Sequence, residues 1–372
     1  MIYFDNAATT KPIKKAMDKF DQINAEEYFN PSAPYSCAFK LSQEINSARR
    51  GIINYLHGDD VGDQVVFTSG ATESNNLAII GSAKDKHKKY LFSVGEHPAV
   101  YNTAMELKSK DYDVGFIPLR ADGQIDYDKF ETMLSSDVAL VSVMFVNNET
   151  GAINDLKRVC EIMNSHCREA LLHVDAVQGF GKIDINVRKC KINLLSMSAH
   201  KIGGIKGVGA LYISKDTKIK NINFGGGQEF GLRSGTVNAG GILSFYEAVK
   251  EMFTHQKENY EKVVSLKEHL LKELYKELPQ ATIVSAKSNS PYVVSLFFKG
   301  YRGETIMRQL DSKGICVGTG SACSSSKVGN RVLENLGYDK SQIIGAIRVS
   351  FSPNNTTEEI DALITALKKF IK

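Results

Sequence analysis

Cysteine is scarce: 6 in 372 residues, at positions 37, 160, 167, 190, 316 and 323. That density excludes a disulfide scaffold. No C-x-x-C pair occurs among them, so no structural zinc site is expected. Charge of one sign is also lacking. With 46 Lys+Arg against 42 Asp+Glu the net charge is +4, too small a surplus to argue for direct nucleic-acid or membrane binding. No segment reaches the ~18 consecutive apolar residues that a spanning helix needs. The first residues, Met1 to Asn6, show no basic region followed by an apolar run, so a signal peptide is not expected and a cytoplasmic location is. Repeats and low-complexity stretches are absent too.

What remains is an ordinary globular composition, 42% hydrophobic and 24% charged, too apolar for a disordered chain. At ~150 residues per domain the length allows about two domains. From about residue 60 to 215, short apolar runs alternate with amphipathic stretches. The runs are 65–67, 90–92, 114–117, 138–145, 171–174, 194–197 and 208–213. Consecutive apolar positions suit strands covered on both faces. The alternation predicts an α/β fold: a mainly parallel seven-stranded sheet flanked by helices. Residues 242–278 read as one long helix, with an interruption at the polar run Thr254 to Asn259 and an end before Pro279. Beyond it, strand candidates at 293–298 and 347–351 and a helix at 358–370 predict a smaller α+β domain. The expected division is 13–250 for the large domain, with 1–12 and 251–372 forming the small one.

Three segments invite chemistry. Ser69-Gly70-Ala71-Thr72-Glu73 lies between a strand and a helix. A glycine turn at a helix N-terminus exposes backbone N–H groups to an anion such as phosphate; taken alone, it reads first as a helix cap with nothing bound. Asp175 closes a buried strand, the edge where open α/β sheets gather ligands. Lys201 follows another strand 26 residues later, beside Ser198 and His200. A lysine so placed suits a Schiff base, and Asp175 suits a pyridinium nitrogen. Singly, each reads as a solvated or capping residue. Together, and with the phosphate-type turn upstream, they point to pyridoxal phosphate.

Asp175-x-x-Gln178 followed by Ser198-x-His200-Lys201 resembles the fold-type I pyridoxal phosphate enzymes of the class V aminotransferase group. Tyr3 to Thr10, Thr68 to Asn76, Glu96-His97, Val146 to Gly151, Arg233 to Thr236 and Gly320 to Cys323 narrow the resemblance to the cysteine desulfurases. The similarity spans almost the whole chain, in the family's order. It implies that Lys201 carries the cofactor and moves protons at the substrate. Asp175 would pair with the ring nitrogen, and His97 would stack on the ring as a candidate acid/base. Gln178 and Asn148 would meet the ring oxygen, with Asn148 also near the substrate carboxylate. Ala71, Thr72, Ser198 and His200 would hold the phosphate. Thr236 would reach the phosphate of a neighbouring subunit in a homodimer. Arg348 lies in a strand pattern, where a charge is either at a surface edge or paired; the resemblance implies a clamp on the substrate carboxylate.

Cys323 sits in Gly318 to Lys327, a small, polar stretch with the composition of a mobile loop. The resemblance implies a nucleophile that takes sulfur from L-cysteine as a persulfide, leaving L-alanine, and passes it on. The acceptor would be an iron–sulfur scaffold or a tRNA thiolation enzyme. Cys316 is expected in a core, and Cys37, Cys160, Cys167 and Cys190 are expected to pack. The sequence departs from the family at three places: Tyr35 where a His is usual, Ile205 for a Pro and Phe230 for an Arg. A selenocysteine lyase or an aminotransferase of the same fold, and a catalytically idle scaffold, are the alternatives.

Overall fold

The computed structural model describes residues 1–286, 288–319 and 330–371. Its strands in chain order are β1 (Ile2–Phe4), β2 (Gln64–Thr68), β3 (Lys89–Ser93), β4 (Asp113–Ile117), β5 (Val138–Met144), β6 (Leu171–Asp175), β7 (Leu194–Ser198), β8 (Gly209–Ile213), β9 (Ala281–Ile283), β10 (Val293–Phe298), β11 (Ile315–Val317) and β12 (Ala346–Ser350). Seven form one sheet in the order β2-β8-β7-β6-β5-β3-β4. Only β8 runs against its neighbours. The seven apolar runs of the sequence are these seven strands. They are apolar on successive positions because helices cover both faces, as β7, buried at every residue, illustrates.

Parallel neighbours need crossovers, and helices Ala71–Ser82, Pro98–Ser109 and Leu156–His166 supply them. The chain passes from β3 outward to β4 and then returns to the other side of β3 with β5. Such a reversal leaves a crevice at the carboxyl ends of the strands. The candidate residues cluster at those ends.

The expected long helix is two, Ala239–Thr254 and Gln256–Glu277, parted at His255. The first begins three residues earlier than the apolar spacing suggests, because the Asn238 side chain accepts from Gly241 N at 3.0 Å and caps it. The break has a packing cause. Ile242, Leu243, Phe245, Ala248 and Val249 belong to the apolar cluster of the large sheet. Val263, Leu266, Leu270 and Leu274 belong to a second cluster with Phe4, β10, β12 and helix Thr357–Lys368. In that second cluster, β12, β10 and β9 form an antiparallel sheet, and β1 pairs with β11. No helix among the described residues is long and apolar enough to cross a membrane.

Candidate active site

A cleft of about 590 Å³ opens at the carboxyl ends of β2, β5, β6 and β7. Ala71, Thr72, His97, Asn148, Asp175, Gln178, Ser198, His200, Lys201 and Arg348 all line it, so the structure gathers ten sequence-selected residues around one space. Thr236 is exposed and does not line it. Cys323 lies outside the described residues.

One end of the cleft is the start of helix Ala71–Ser82. Its first intrahelical donor is Ser74 N, which bonds to Gly70 O at 3.1 Å. The amides of Ala71, Thr72 and Glu73 therefore have no helical acceptor, and the helix dipole adds positive potential. The turn can lie this close to the sheet because Gly209 has no side chain: a Cβ there would stand 2.7 Å from Gly70 Cα. Ser198 and His200 close the same wall. His200 Nδ1 meets Thr9 Oγ1 at 3.1 Å. Burial, and then the cation of Lys201, bring its pKa down to about 4 and leave it neutral.

Asp175 is buried at the end of β6. Its Oδ2 accepts from Asn75 Nδ2 at 2.8 Å and its Oδ1 from Val177 N at 3.1 Å. Asn75, one turn into the helix, has no sequence signature beyond being a polar residue on a largely buried helix. His97 caps helix Pro98–Ser109, its Nδ1 accepting from Ala99 N at 3.1 Å, which puts the proton of the neutral ring on Nε2. Its ring is open to the cleft, yet the surrounding walls lower its proton affinity by desolvation; Lys201 and Arg331 add to the lowering and Asp175 opposes it.

Lys201 ends a short 3₁₀ turn, Ala199–Lys201, after β7. Its Nζ donates to Ala7 O and Ala8 O, both at 2.6 Å. Burial first, and then the charge of Arg348, bring its pKa down to about 8; Asp5 and Asp175 pull the other way. Gln178 Nε2 donates to Ala7 O at 2.9 Å, and its buried Oε1 has no partner among the described residues. Asn148 sits in a turn held by Asn147, whose Oδ1 accepts from Glu149 N and Thr150 N, both at 2.9 Å.

Arg348 is 8% exposed, which overturns the surface-edge reading of β12. Its Nη2 donates to Asp5 Oδ1 at 2.8 Å and its Nη1 to Asn148 O at 2.9 Å, while Nε is buried and has no partner among the described residues. Gly318 bridges to it through Gly318 N to Arg348 O at 2.9 Å and Arg348 N to Gly318 O at 2.7 Å. On the other side of residues 320–329, Arg331 donates to Val94 O at 2.8 Å and to Glu96 O. Both chain ends flanking Cys323 are thus anchored to cleft elements.

Sequence reasoning assigned no role to Arg331 and used Glu96 only as a motif letter. Glu96 is buried, with Oε1 accepting from Met144 N at 2.5 Å. Burial, and then Asp175, push its pKa well above the usual carboxylate range. Among the other cysteines, Cys160 and Cys167 are buried and Cys190 and Cys316 half-buried. Cys37 is exposed, against the packing expected of it: it falls on the outer face of helix Ser36–Tyr55, whose buried stripe is Ala38, Leu41, Ile45 and Ala48. Of the three departures, Tyr35 precedes that helix, Ile205 packs partly against the large core, and Phe230 lies beside Arg49, 5.1 Å from guanidinium to ring. No group of three or more His, Cys, Asp or Glu among the described residues is placed to hold a metal.

The family model for aminotransferase class-V matches residues 2–363. The chain is 35% identical to the cysteine desulfurase IscS of Clostridium botulinum, over 100% of this chain and 94% of that protein. A solved NifS-like protein superposes with a TM-score of 0.92 at 32% identity, covering 99% of this chain and 98% of that one. A structure described as SspA in complex with cysteine is 28% identical, with a TM-score of 0.83, 96% of this chain covered and 100% of the other.

Proposed function

The chain belongs to the aminotransferase class-V family as a pyridoxal-phosphate-dependent cysteine desulfurase, and from that premise we propose that Cys323 receives the sulfur of L-cysteine as a persulfide. The residues fit the cofactor. Donors without acceptors at the start of helix Ala71–Ser82 suit a phosphate. A buried carboxylate held by Asn75 suits a ring nitrogen, and a lysine brought down to about 8 suits an aldehyde. Gln178 lines the same cleft, and its buried Oε1 lacks a partner among the described residues. When bound, pyridoxal phosphate supplies an electron sink for the substrate's α-carbon.

In this reading Lys201 holds the cofactor and then moves the proton at the substrate α-carbon. Asp175 keeps the ring nitrogen protonated, since an adjacent carboxylate raises a partner's proton affinity by ~1–3 units. Ala71, Thr72, Ser198 and His200 bind the phosphate. His97, with its proton on Nε2, lines the same cleft and would stack on the ring and handle the thiol proton. Arg348 and Asn148 hold the substrate carboxylate. The Cys323 thiolate attacks the substrate sulfur: an S–S bond forms, the C–S bond breaks, and the electron pair goes to the carbon side. Protonation there gives L-alanine. The chain ends at Gly318 and Arg331 start the Cys323 segment beside the carboxylate clamp and His97.

The observation that carries the reading is the convergence of Lys201, Asp175 and the anion turn on one cleft. We extend it to a cytoplasmic homodimer in which Thr236 completes the neighbour's phosphate site. Exposed Tyr28, Tyr35, Phe39, Phe224 and Phe230 support such an interface. The division into 13–250 and 1–12 with 251–372 belongs to the same reading, as does an acceptor that is an iron–sulfur scaffold or a tRNA thiolation enzyme. Cys323→Ser is expected to retain the yellow cofactor and to lose the persulfide, read as one added sulfur by peptide mass spectrometry after incubation with L-cysteine. An added sulfur on a different cysteine, or unimpaired sulfide release by the variant, contradicts the assignment.

A further inference from the structure

His97 enters the cleft from the junction between β3 and helix Pro98–Ser109. The cap bond from Ala99 N to its Nδ1, 3.1 Å long, fixes the ring relative to its own helix. Where the ring stands in the cleft therefore depends on what holds residues 94–96 and the first turn of that helix. The three carbonyls of that junction are held by side chains. Gly95 O accepts from Asn147 Nδ2 at 3.0 Å. Val94 O accepts from Arg331 Nε at 2.8 Å, and Glu96 O from Arg331 Nη2.

The same guanidinium meets the other side of the histidine. His97 O accepts from Val100 N at 2.9 Å and Tyr101 N at 3.0 Å, so His97 and the first helical turn form one piece. The Tyr101 ring lies against Arg331, 3.7 Å from guanidinium carbon to ring centroid, and Phe116 of β4 backs it at 4.9 Å. A guanidinium can do both at once. Nε and Nη2 share one edge and reach two carbonyls, while the flat face rests on an aromatic ring. Arg331 itself is fixed from elsewhere. It opens helix Arg331–Asn335, which Asn330 caps by accepting from Leu333 N at 3.0 Å. Leu333 belongs to an apolar cluster with Phe297 of β10 and Ile343.

Arg331 also acts on the ring through its charge. Desolvation is the first cause of the lowered proton affinity of His97; Asp175 opposes it, and the cations of Lys201 and Arg331 add to it. We propose that Arg331 is a positioning residue for His97: its guanidinium clasps the turn before the histidine and the helical turn after it, and so fixes where the ring stands in the cleft. This role rests on the desulfurase reading of His97 and adds the group that sets its geometry.

Nitrogen-15 NMR of histidine-labelled holoenzyme reads the ring directly, its signal assigned by its loss in His97→Gln. Arg331→Gln removes the fork and the cation. The Nδ1 and Nε2 shifts of His97 are expected to move, and its titration midpoint to rise, because a charge that opposed protonation has gone. The same change is expected in the Cys323→Ser background, where no sulfur is transferred, which separates it from any effect on the nucleophile. Arg331→Lys restores the charge without the fork or the flat face, so the midpoint should fall back while the rate stays low. In both Arg331 variants single-turnover persulfide formation is expected to slow roughly a hundredfold, the cost of a displacement of about 1 Å. KM for L-cysteine and the cofactor's absorbance should hold. Ring shifts and midpoint unchanged in Arg331→Gln, or a full rate in Arg331→Lys, overturn the proposal. If Arg331→Gln does not fold, Tyr101→Leu decides: it keeps both carbonyl bonds and removes the stacked face, and a shift of the His97 ring supports the clasp while none overturns it. Cofactor absorbance and added sulfur on Cys323 are read on the same samples, so failure of the desulfurase reading shows there and failure of the clasp in the ring signal.

Discussion

Lys201 shows how a single residue takes its chemistry from its neighbours. Its amine attacks an aldehyde only when deprotonated, and burial together with Arg348 brings its pKa to about 8. Capture of pyridoxal phosphate by the apoenzyme should therefore accelerate as pH rises through about 8 and level off above it. Arg348→Gln removes a cation that lowers this pKa, so the midpoint should move to higher pH. Stopped-flow absorbance of reconstitution across pH checks both statements; a rate flat from neutral to alkaline pH, or a midpoint lowered in the variant, contradicts them. Asp175 and Lys201 were legible in the sequence as candidates because one ends an apolar strand and the other lies just past one. Asn75, Glu96 and Arg331 were not. Asn75 meets Asp175 across 100 residues, and Arg331 reaches Glu96 across 235. Such pairings exist only once the strands are ordered. Arg348 was half legible: the strand pattern gave its position but not Asp5 as its partner.

Elements place these residues more rigidly than loops could. Helix Ala71–Ser82 is aimed at the cleft because its first turn rests on β8 at Gly209. A Gly209→Val side chain would drive into Gly70, whose Cα is 2.7 Å from the nearest added carbon. Overpacking of this kind costs ~1–3 kcal/mol. Here it should fall mainly on the anion turn, weakening cofactor retention roughly tenfold while far-ultraviolet circular dichroism stays native. Equal cofactor affinity in the variant contradicts the role given to this contact. The sheet itself was readable because strands buried on both faces leave continuous apolar runs. The break at His255 was readable only as a polar run, since the residue where one helix stops depends on the switch from one apolar cluster to the other. The exposure of Cys37 was hidden for a related reason: a helix pattern does not say which stripe faces inward until a neighbour is in place.

At the scale of the molecule, the cleft draws residues from elements packed in two different apolar clusters. Arg348 comes from β12 and Asp175 from β6, and Asp5 on the N-terminal segment ties the arginine in place. In the proposed homodimer, exposed Phe224 and Phe230, close in sequence to Thr236, would face the second copy of the chain. Sedimentation equilibrium should find a dimer, and Thr236→Val should weaken phosphate retention in it; a monomer with full activity contradicts this part. The most direct measurement of the central claim is a single turnover of sulfur-35 L-cysteine by excess holoenzyme without reductant. The account predicts one alanine per cysteine consumed, with the label retained on the protein at Cys323. Pyruvate, ammonia and free labelled sulfide, with no label on the protein, would contradict it.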